Sequence, residues 1–206
     1  DGGQIVEPEA SGIIARVNEL ETEDYEPVDA PGTLTALGGD MDRIYMDKVR
    51  SCLLRPDLLE GRKAKVVYTN LHGTGGVIIV PMLRELGFEV ITVPEQDTHD
   101  GRFPTVESPN PENGPALAMG IKLAEEVGAD AVIGTDPDCD RMGVAVRNCD
   151  GEMELLTGNQ IGSLIGWYRI KTMFDLGWLT ESNRSRAVMV KTLVTTELQD
   201  TVAHHF

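Results

Sequence analysis

The sequence predicts an α/β fold, namely a three-layer α/β/α sandwich with a mostly parallel sheet and an antiparallel edge hairpin. Between residues 65 and 134, short β-branched runs alternate with apolar helical patterns, which is typical of a parallel sheet with helices on both faces. An Asp150-Gly151 turn then joins two short apolar runs and predicts the hairpin. Hydrophobic residues make up 41% of the chain but aromatic residues only 5%, so we expect a mainly aliphatic core.

Two helices are predicted before this alternating region. An amphipathic pattern predicts the first over residues 12–20, and the acidic stretch 21–40, which contains Pro and Gly, predicts a linker or domain edge. Apolar residues at helical spacing predict the second helix over 41–54, with Asp40 as its N-cap.

Three strands are predicted in the middle of the chain, over residues 65–69, 88–93 and 131–134. The helix after the first strand spans about 77–86 and ends at Gly87, because glycine suits the left-handed position that follows a helix. The next helix is expected to begin at Asn110-Pro111, with Asn as N-cap and Pro as the first helical residue, and to end at Gly128.

The C-terminal part of the chain has a different pattern. A helix over residues 158–177, a strand over 187–193 and a helix from Thr195 onward are predicted. One strand and two helices are too few to close a second core. We therefore expect 158–206 to be the truncated start of a further domain, next to a complete domain at 41–157.

Charge and cysteine content exclude several classes of protein. The chain has 18 basic and 34 acidic residues, a net charge of −16, which argues against binding to a nucleic-acid backbone. Its apolar runs are too short to span a bilayer, so we expect neither nucleic acid nor membrane as a partner. The three cysteines form no C-x-x-C pair, which favours a cytoplasmic location. Because the sequence does not begin with Met, we expect it to be part of a longer protein.

The most informative motif is the acidic loop at residues 136–141, directly after the third predicted strand. Asp136, Asp138 and Asp140 are spaced by two, so their side chains can converge on one side of the backbone. Converging carboxylates repel one another and lose hydration, and a hard divalent cation offsets both effects. Ligand sets made only of oxygen favour Mg²⁺, Mn²⁺ or Ca²⁺ over Zn²⁺.

The acidic loop has two other interpretations. An EF-hand begins with the same spacing, but its sixth position, normally Gly, is Arg141, and its twelfth, normally Glu, is Arg147. A solvated surface loop needs no ion, since Asp-Pro turns are common. Arg141 argues against the solvated loop, because a guanidinium beside a metal–carboxylate cluster is a good receptor for a phosphate on the same metal.

A glycine-rich turn, His72-Gly73-Thr74-Gly75-Gly76, follows the first strand. Such a turn can bind an anion at a helix N-terminus, which makes His72 and Gly73 candidate phosphate contacts. The alternative is a tight turn that needs glycine for its backbone conformation, with a structural His72. The spacing matches neither a dinucleotide fingerprint nor a P-loop, although Glu95 lies near the position expected of a dinucleotide site's acidic residue.

Residues 134–144 resemble the magnesium loop of the α-D-phosphohexomutases, the phosphoglucomutase/phosphomannomutase group. The His-Gly-Thr-Gly sequence of the turn is similar to the turn of one branch of this family, which includes phosphoglucomutases and phosphopentomutase-like enzymes. Further stretches resemble the same family in the same order: the end of the first domain at 1–6, the first strand and turn of the second domain at 68–76, the loop before its second helix at 100–106 and 109–112, and the entry to the third domain at 158–160.

The resemblance implies reversible phosphoryl transfer between two hydroxyls of a sugar phosphate, through a phosphoserine and a bisphosphorylated sugar. It implies Mg²⁺ as cofactor on Asp136, Asp138 and Asp140. It also implies that Arg141 is a catalytic residue in contact with the phosphoserine or the substrate phosphate. Phosphoryl transfer is mostly positioning and charge neutralisation, which suits such a cluster.

The resemblance also implies a domain organisation. Residues 1–40 would be the end of the first domain plus a linker, 41–157 the metal-loop domain, and 158–206 the start of the third domain. The family's Ser-His-Asn-Pro motif does not occur in the chain, so we expect the chain alone to be inactive and to need the remaining domains as partners. A Ca²⁺-binding interaction module without catalysis and a nucleotide-binding α/β domain stay as alternative functions.

Overall fold

The computed structural model of the protein describes residues 3–20, 32–61 and 64–206. The chain forms two units, one up to Gly38 and the other from Gly39 to Phe206. The first unit contains helix α1 (Glu9–Glu19), and most of the predicted linker at 21–40 lies outside the described residues. Among the residues described, no helix has the length and apolar character needed to cross a membrane.

The second unit is built on one five-stranded sheet with the strand order β2-β1-β3-β4-β5. Strand β1 pairs in parallel with β2 and β3, whereas β4 pairs antiparallel with β3 and β5. The predicted α/β class is confirmed, with a mixed sheet in which two of the four pairings are antiparallel. The elements are α2 (Gly39–Arg50), β1 (Lys65–Thr69), α3 (Gly76–Glu85), β2 (Glu89–Thr92), α4 (Gly114–Val127), β3 (Ala131–Thr135), β4 (Met142–Arg147), β5 (Met153–Leu156), α5 (Gly158–Asp175) and α6 (Leu198–His205).

The sheet has a separate hydrophobic core on each face. Successive side chains of β1 point to opposite faces, so Val67 packs with Val132 and Ala145 beneath α4. Tyr68 packs on the other face with Val80 of α3 and with Val90 of β2. Helices therefore cover both faces of the sheet, which gives the three predicted layers.

The C-terminal ends of α3 and α4 follow the sequence signals, whereas the start of α2 does not. Gly87 and Gly128 adopt φ angles of 90° and 65° after α3 and α4, in the left-handed region that favours glycine. Helix α2 begins at Gly39, so Asp40 lies inside the first turn and is not the predicted N-cap. Its negative charge there still interacts favourably with the helix dipole.

The prediction that α4 starts at Asn110-Pro111 is wrong, because the helix begins at Gly114. The Asn110 Oδ1 accepts a hydrogen bond from the amide of Glu112 at 3.0 Å, so this Asn-Pro pair forms a turn. Asn113 is the N-cap, and Pro115 occupies the first helical turn.

The strand predicted over 187–193 is also absent, since this described segment forms no regular structure. A strand needs a neighbour to pair with its backbone groups, and none of the described strands runs beside this one. Its apolar side chains are consequently exposed, Val190 by 87% and Leu193 by 95%.

Candidate metal site

The acidic loop connects two paired strands at one edge of the sheet. Strands β3 and β4 are antiparallel with Thr135 opposite Met142, so residues 136–141 form the loop between them. Because β1 runs parallel to β3, the glycine turn after β1 reaches the same edge. Ligand sites of α/β sheets lie at this carboxyl edge, where chain connections leave in opposite directions.

The three predicted metal ligands converge in this loop. Asp136, Asp138 and Asp140 each offer a carboxylate oxygen, and these oxygens lie within 4.8 Å of one another. Asp136 is fully buried, whereas Asp138 and Asp140 are exposed. Repulsion from Asp138, together with hydrogen bonding to Asp136, raises the pKa of Asp140 above that of an ordinary aspartate.

Arg141 is joined to the buried carboxylate at two points. Its backbone N–H donates to Oδ1 of Asp136 and its Nε to Oδ2, both at 2.8 Å. Burial raises the pKa of Asp136, but these two bonds outweigh burial and hold the pKa below its usual value. Asp140 Oδ1 lies 3.6 Å from the same Nε.

The outer side of the Arg141 guanidinium is available to a ligand. The side chain is 55% exposed. Within the described parts of the chain, neither Nη1 nor Nη2 donates a hydrogen bond. Two parallel N–H groups on an anchored guanidinium match the geometry of a phosphate.

The backbone of the loop is tightly closed. Cys139 has a φ of 65°, an uncommon left-handed conformation for a residue other than Gly, and its amide donates to Asp136 O at 3.0 Å. Its thiol faces Gly75, since Sγ would lie 3.1 Å from a Cβ placed there. The soft sulfur therefore packs against the glycine turn, and the converging atoms are all oxygens.

The residues present fit a hard divalent cation. Both oxygens of Asp136 accept hydrogen bonds, but a carboxylate oxygen has a further lone pair for a metal. An oxygen of each exposed carboxylate already lies within 4.8 Å of one of Asp136. Repulsion of Asp140 by Asp138 and Asp136, which raises the pKa of Asp140, is the electrostatic condition that a cation relieves.

His72 lies beside this site but its ring is engaged within the chain. The residue is 4% exposed, Nδ1 donates to Thr98 O at 2.9 Å, and Nε2 pairs with Thr105 Oγ1 at 2.8 Å. A carbonyl can only accept, so this pairing fixes Nδ1 as the protonated nitrogen. These contacts favour the structural interpretation of His72.

The first two amides of the glycine turn are also engaged. The N–H of His72 donates to Gln96 O at 3.0 Å, and the N–H of Gly73 donates to Asn70 O at 2.7 Å. Neither amide is therefore free for an anion in this conformation. The phosphate contacts predicted for His72 and Gly73 stay predictions, and the contacts favour the tight-turn alternative.

Sequence reasoning missed the residues that join the turn to the loop. Thr74 donates to Pro137 O through its amide at 2.9 Å and its hydroxyl at 3.1 Å. Beneath them, the Tyr68 hydroxyl pairs with Thr135 Oγ1 at 2.8 Å, and burial raises the pKa of Tyr68 to about 12. The available signal was the parallel pairing expected of the first and third strands, which brings their following loops together.

Comparison with known proteins agrees with this fold. The family model described as phosphoglucomutase/phosphomannomutase, alpha/beta/alpha domain II, matches residues 36–151. The chain is 34% identical over 171 residues to a probable phosphomannomutase of Haemophilus influenzae, covering 82% of this chain and 34% of that protein. It is 32% identical over 210 residues to a phosphoglucomutase of Staphylococcus saprophyticus, covering 98% of this chain and 36% of that protein.

A solved structure shares the fold. It comes from Thermus thermophilus, is provisionally described as a phosphomannomutase, and superposes with a TM-score of 0.59 at 24% identity. The match covers 82% of this chain and 36% of that one. The chain thus spans about a third of the length of the curated relatives named above. From its matched domain and these relatives, the chain belongs to the phosphoglucomutase/phosphomannomutase family, in the region of the family's second α/β/α domain.

Proposed function

We propose that the chain is the metal-bearing part of a phosphosugar mutase, with Mg²⁺ held by Asp136, Asp138 and Asp140. The observation that supports this most strongly is the convergence of three carboxylates, with Arg141 beside them, inside the matched domain. A ligand set made only of oxygen suits Mg²⁺, which in proteins keeps several waters and binds through few carboxylates.

Each residue of the loop has a distinct task in this proposal. The ion, when bound, supplies a positive charge that polarises a phosphoryl oxygen and neutralises charge developing during transfer. Asp136 is held by Arg141 and anchors the site, while Asp138 and Asp140 complete it from the solvent side. Arg141 is fixed through Nε and presents its two Nη groups to the phosphoryl group being transferred.

The proposed substrate is a phosphorylated sugar, a hexose or pentose phosphate, together with the corresponding sugar bisphosphate. We assign residues 1–40 to the end of the first domain and the linker, 41–157 to the metal-loop domain, and 158–206 to the start of the third domain. The chain lacks a Ser-His-Asn-Pro motif, so it needs the remaining domains for its nucleophile and is inactive alone.

Mutase activity of the longer protein that contains this chain tests the proposal. Interconversion of the 1- and 6-phosphates of glucose and mannose, and of the 1- and 5-phosphates of ribose, is measured with and without Mg²⁺. We expect Mg²⁺-dependent activity that Asp138→Asn lowers by roughly 100-fold or more, the size of losing one transition-state charge contact. The control is Asp150→Asn, an exposed carboxylate in the β4–β5 turn, which should leave activity unchanged.

Two results would overturn the proposal. One is an active mutase in which Asp138→Asn and Asp150→Asn behave alike, which would remove the acidic loop from catalysis. The other is tight Ca²⁺ binding without any Mg²⁺ response and without mutase activity, which would favour the Ca²⁺-binding interaction module.

A further inference from the structure

The glycine turn makes a close, directed contact with the middle of the metal loop. Thr74 donates both its amide, at 2.9 Å, and its hydroxyl, at 3.1 Å, to the carbonyl oxygen of Pro137. This carbonyl belongs to the peptide between Pro137 and Asp138, so it lies between two candidate ligands. Proline has no N–H, and its carbonyl is therefore the backbone group through which Pro137 can be held.

The closeness of the two segments depends on glycine. A Cβ on Gly73 would overlap the backbone of Pro137, lying 2.7 Å from its carbonyl carbon. A Cβ on Gly75 would lie 2.7 Å from Thr135 Oγ1 and 3.1 Å from Cys139 Sγ. A side chain at position 73 would push the turn away from the loop, and one at position 75 would push it away from the ends of β1 and β3. These contacts account for both glycines without an anion.

The turn is itself anchored in the core. Asn70 is 2% exposed, and its side-chain Nδ2 donates to Gly73 O at 2.6 Å. Its backbone carbonyl oxygen accepts from the amide of Gly73 at 2.7 Å. Asn70 directly follows β1, the central parallel strand. The sheet therefore holds the turn through Asn70, and the turn holds Pro137 through Thr74.

We propose that Gly73 and Thr74 are positioning residues for the metal site, forming a clamp that fixes the loop backbone between Asp136 and Asp138. This inference rests on the proposed metal function of the loop. The bonds that close the loop internally join Asp136 to Cys139 and Arg141, which leaves the Pro137–Asp138 segment dependent on the clamp. Three repelling carboxylates would otherwise spread apart, and each metal-binding event would have to restore their geometry.

Four variants of the 206-residue chain test the clamp. Thr74→Val removes the hydroxyl donor at nearly constant volume, and Thr74→Ser restores it. Gly73→Ala forces the turn off Pro137, and Gly101→Ala is the matched control, because a Cβ there meets nothing within 4 Å. The measurements are Mn²⁺ affinity, from the electron paramagnetic resonance signal of free Mn²⁺, and amide hydrogen exchange of the loop without metal.

We expect Thr74→Val to weaken Mn²⁺ binding about fivefold, the size of one ordinary hydrogen bond, and Gly73→Ala to weaken it by roughly tenfold or more. Thr74→Ser and Gly101→Ala should stay within about twofold of wild type. In the metal-free protein, the amide of Cys139 should exchange faster in the two weakened variants. Amides of β1 in the sheet core, such as that of Val67, should exchange as in wild type.

The outcomes separate the clamp from the metal proposal. Unchanged Mn²⁺ affinity and unchanged Cys139 exchange in Thr74→Val would overturn the clamp, and this variant decides the matter if Gly73→Ala does not fold. If the wild type binds no Mn²⁺ at the loop, the metal proposal fails. The exchange of Cys139 then still shows whether Thr74 holds the loop.

Discussion

Asp136 and Asp138 belong to the same acidic loop but have opposite surroundings. Asp136 is fully buried and accepts two hydrogen bonds from Arg141, whereas Asp138 is exposed. The first carboxylate therefore contributes to the stability of the loop as well as to the proposed metal site. The second contributes repulsion in the metal-free protein and attraction only when a cation is bound.

Substitution of these two residues should separate folding from metal binding. We expect Asp136→Asn to lower the free energy of unfolding by about 1–3 kcal/mol, because it weakens two charge-assisted hydrogen bonds. Asp138→Asn should change that free energy by less than about 0.5 kcal/mol, or raise it slightly, without metal. Urea unfolding with and without Mn²⁺ measures the free energy of unfolding of both variants. Equal destabilisation by the two substitutions would contradict the separate roles of Asp136 and Asp138.

Individual residues also show where sequence reasoning reached its limit. The convergence of the three carboxylates could be predicted because carboxylate spacing is a local property of the loop. The contact of Thr74 with Pro137 could not, since it joins residues 63 positions apart and depends on how closely two turns approach. Arg147, which excluded an EF-hand, instead donates to the carbonyl oxygens of Ala124 and Ala129 at the end of α4.

Strand β4, which follows the acidic loop, packs closely against the loop before α4. A Cβ on Gly143 of β4 would overlap the backbone of Pro111, at 2.6 Å from its carbonyl carbon. Strand β4 therefore needs glycine at this point. This close packing holds the start of β4, which directly follows the acidic loop, against the rest of the domain.

Gly143→Ala should destabilise the domain by about 1–3 kcal/mol, because the backbone of Pro111 or of β4 must move to accept the methyl group. Urea unfolding measures the effect, with Gly101→Ala as a substitution of equal size in open space. If both variants unfold at the same urea concentration, the described packing of Pro111 on β4 is wrong.

Helix α2 is joined to α3 by an ionic cluster. Glu85 of α3 accepts hydrogen bonds from Arg43, at 3.0 Å, and from Arg50, both on α2. The bonds from these two guanidinium groups lower the pKa of Glu85. A carboxyl with a lowered pKa stabilises the folded state above its ordinary pKa, and this contribution is lost as pH falls through the lowered value.

Glu85→Gln should therefore loosen α2 at neutral pH. Hydrogen exchange of the α2 amides, such as that of Met46, should speed up at pH 7, and the difference from wild type should shrink as acid protonates Glu85. Glu125→Gln, on the exposed side of α4, serves as the control. If the exchange rates of Glu85→Gln and wild type differ by the same factor down to low pH, the ion pairs do not hold α2.

Sequence signals at the element scale succeeded where the cause was local. Glycine at positions 87 and 128 ended two helices as predicted, because a left-handed residue after a helix is a property of the residue itself. The strand predicted over 187–193 did not form, because strand formation requires a partner and none of the described strands lies beside this segment. The start of α4 was misplaced because two Asn and two Pro residues lie within 110–115, each compatible with a helix start.

At the scale of the whole molecule, the chain exposes the apolar segment that the sequence predicted to be a strand. Val188, Val190 and Leu193 are 83%, 87% and 95% exposed. A segment whose backbone is not paired in a sheet and whose apolar side chains are exposed can act as a template for association with another chain.

Self-association of the chain should therefore depend on this segment. We expect Val190→Lys to lower the association constant at least several-fold in sedimentation equilibrium and to leave the unfolding free energy within about 0.5 kcal/mol. Val77→Lys, at another exposed apolar position, is the control. A monomeric wild type at all concentrations would contradict the prediction.

Residues 136–141 are proposed to bind a divalent cation through Asp136, Asp138 and Asp140. The most direct test is a titration of the ¹⁵N-labelled chain with Mn²⁺, whose paramagnetism broadens nearby amide signals even when binding is weak. We predict that signals of residues 136–141 broaden first, that excess Mg²⁺ restores them, and that Asp138→Asn removes the effect while Asp150→Asn preserves it. Broadening spread over the acidic surface without preference for the loop, and equal in both variants, would contradict the claim.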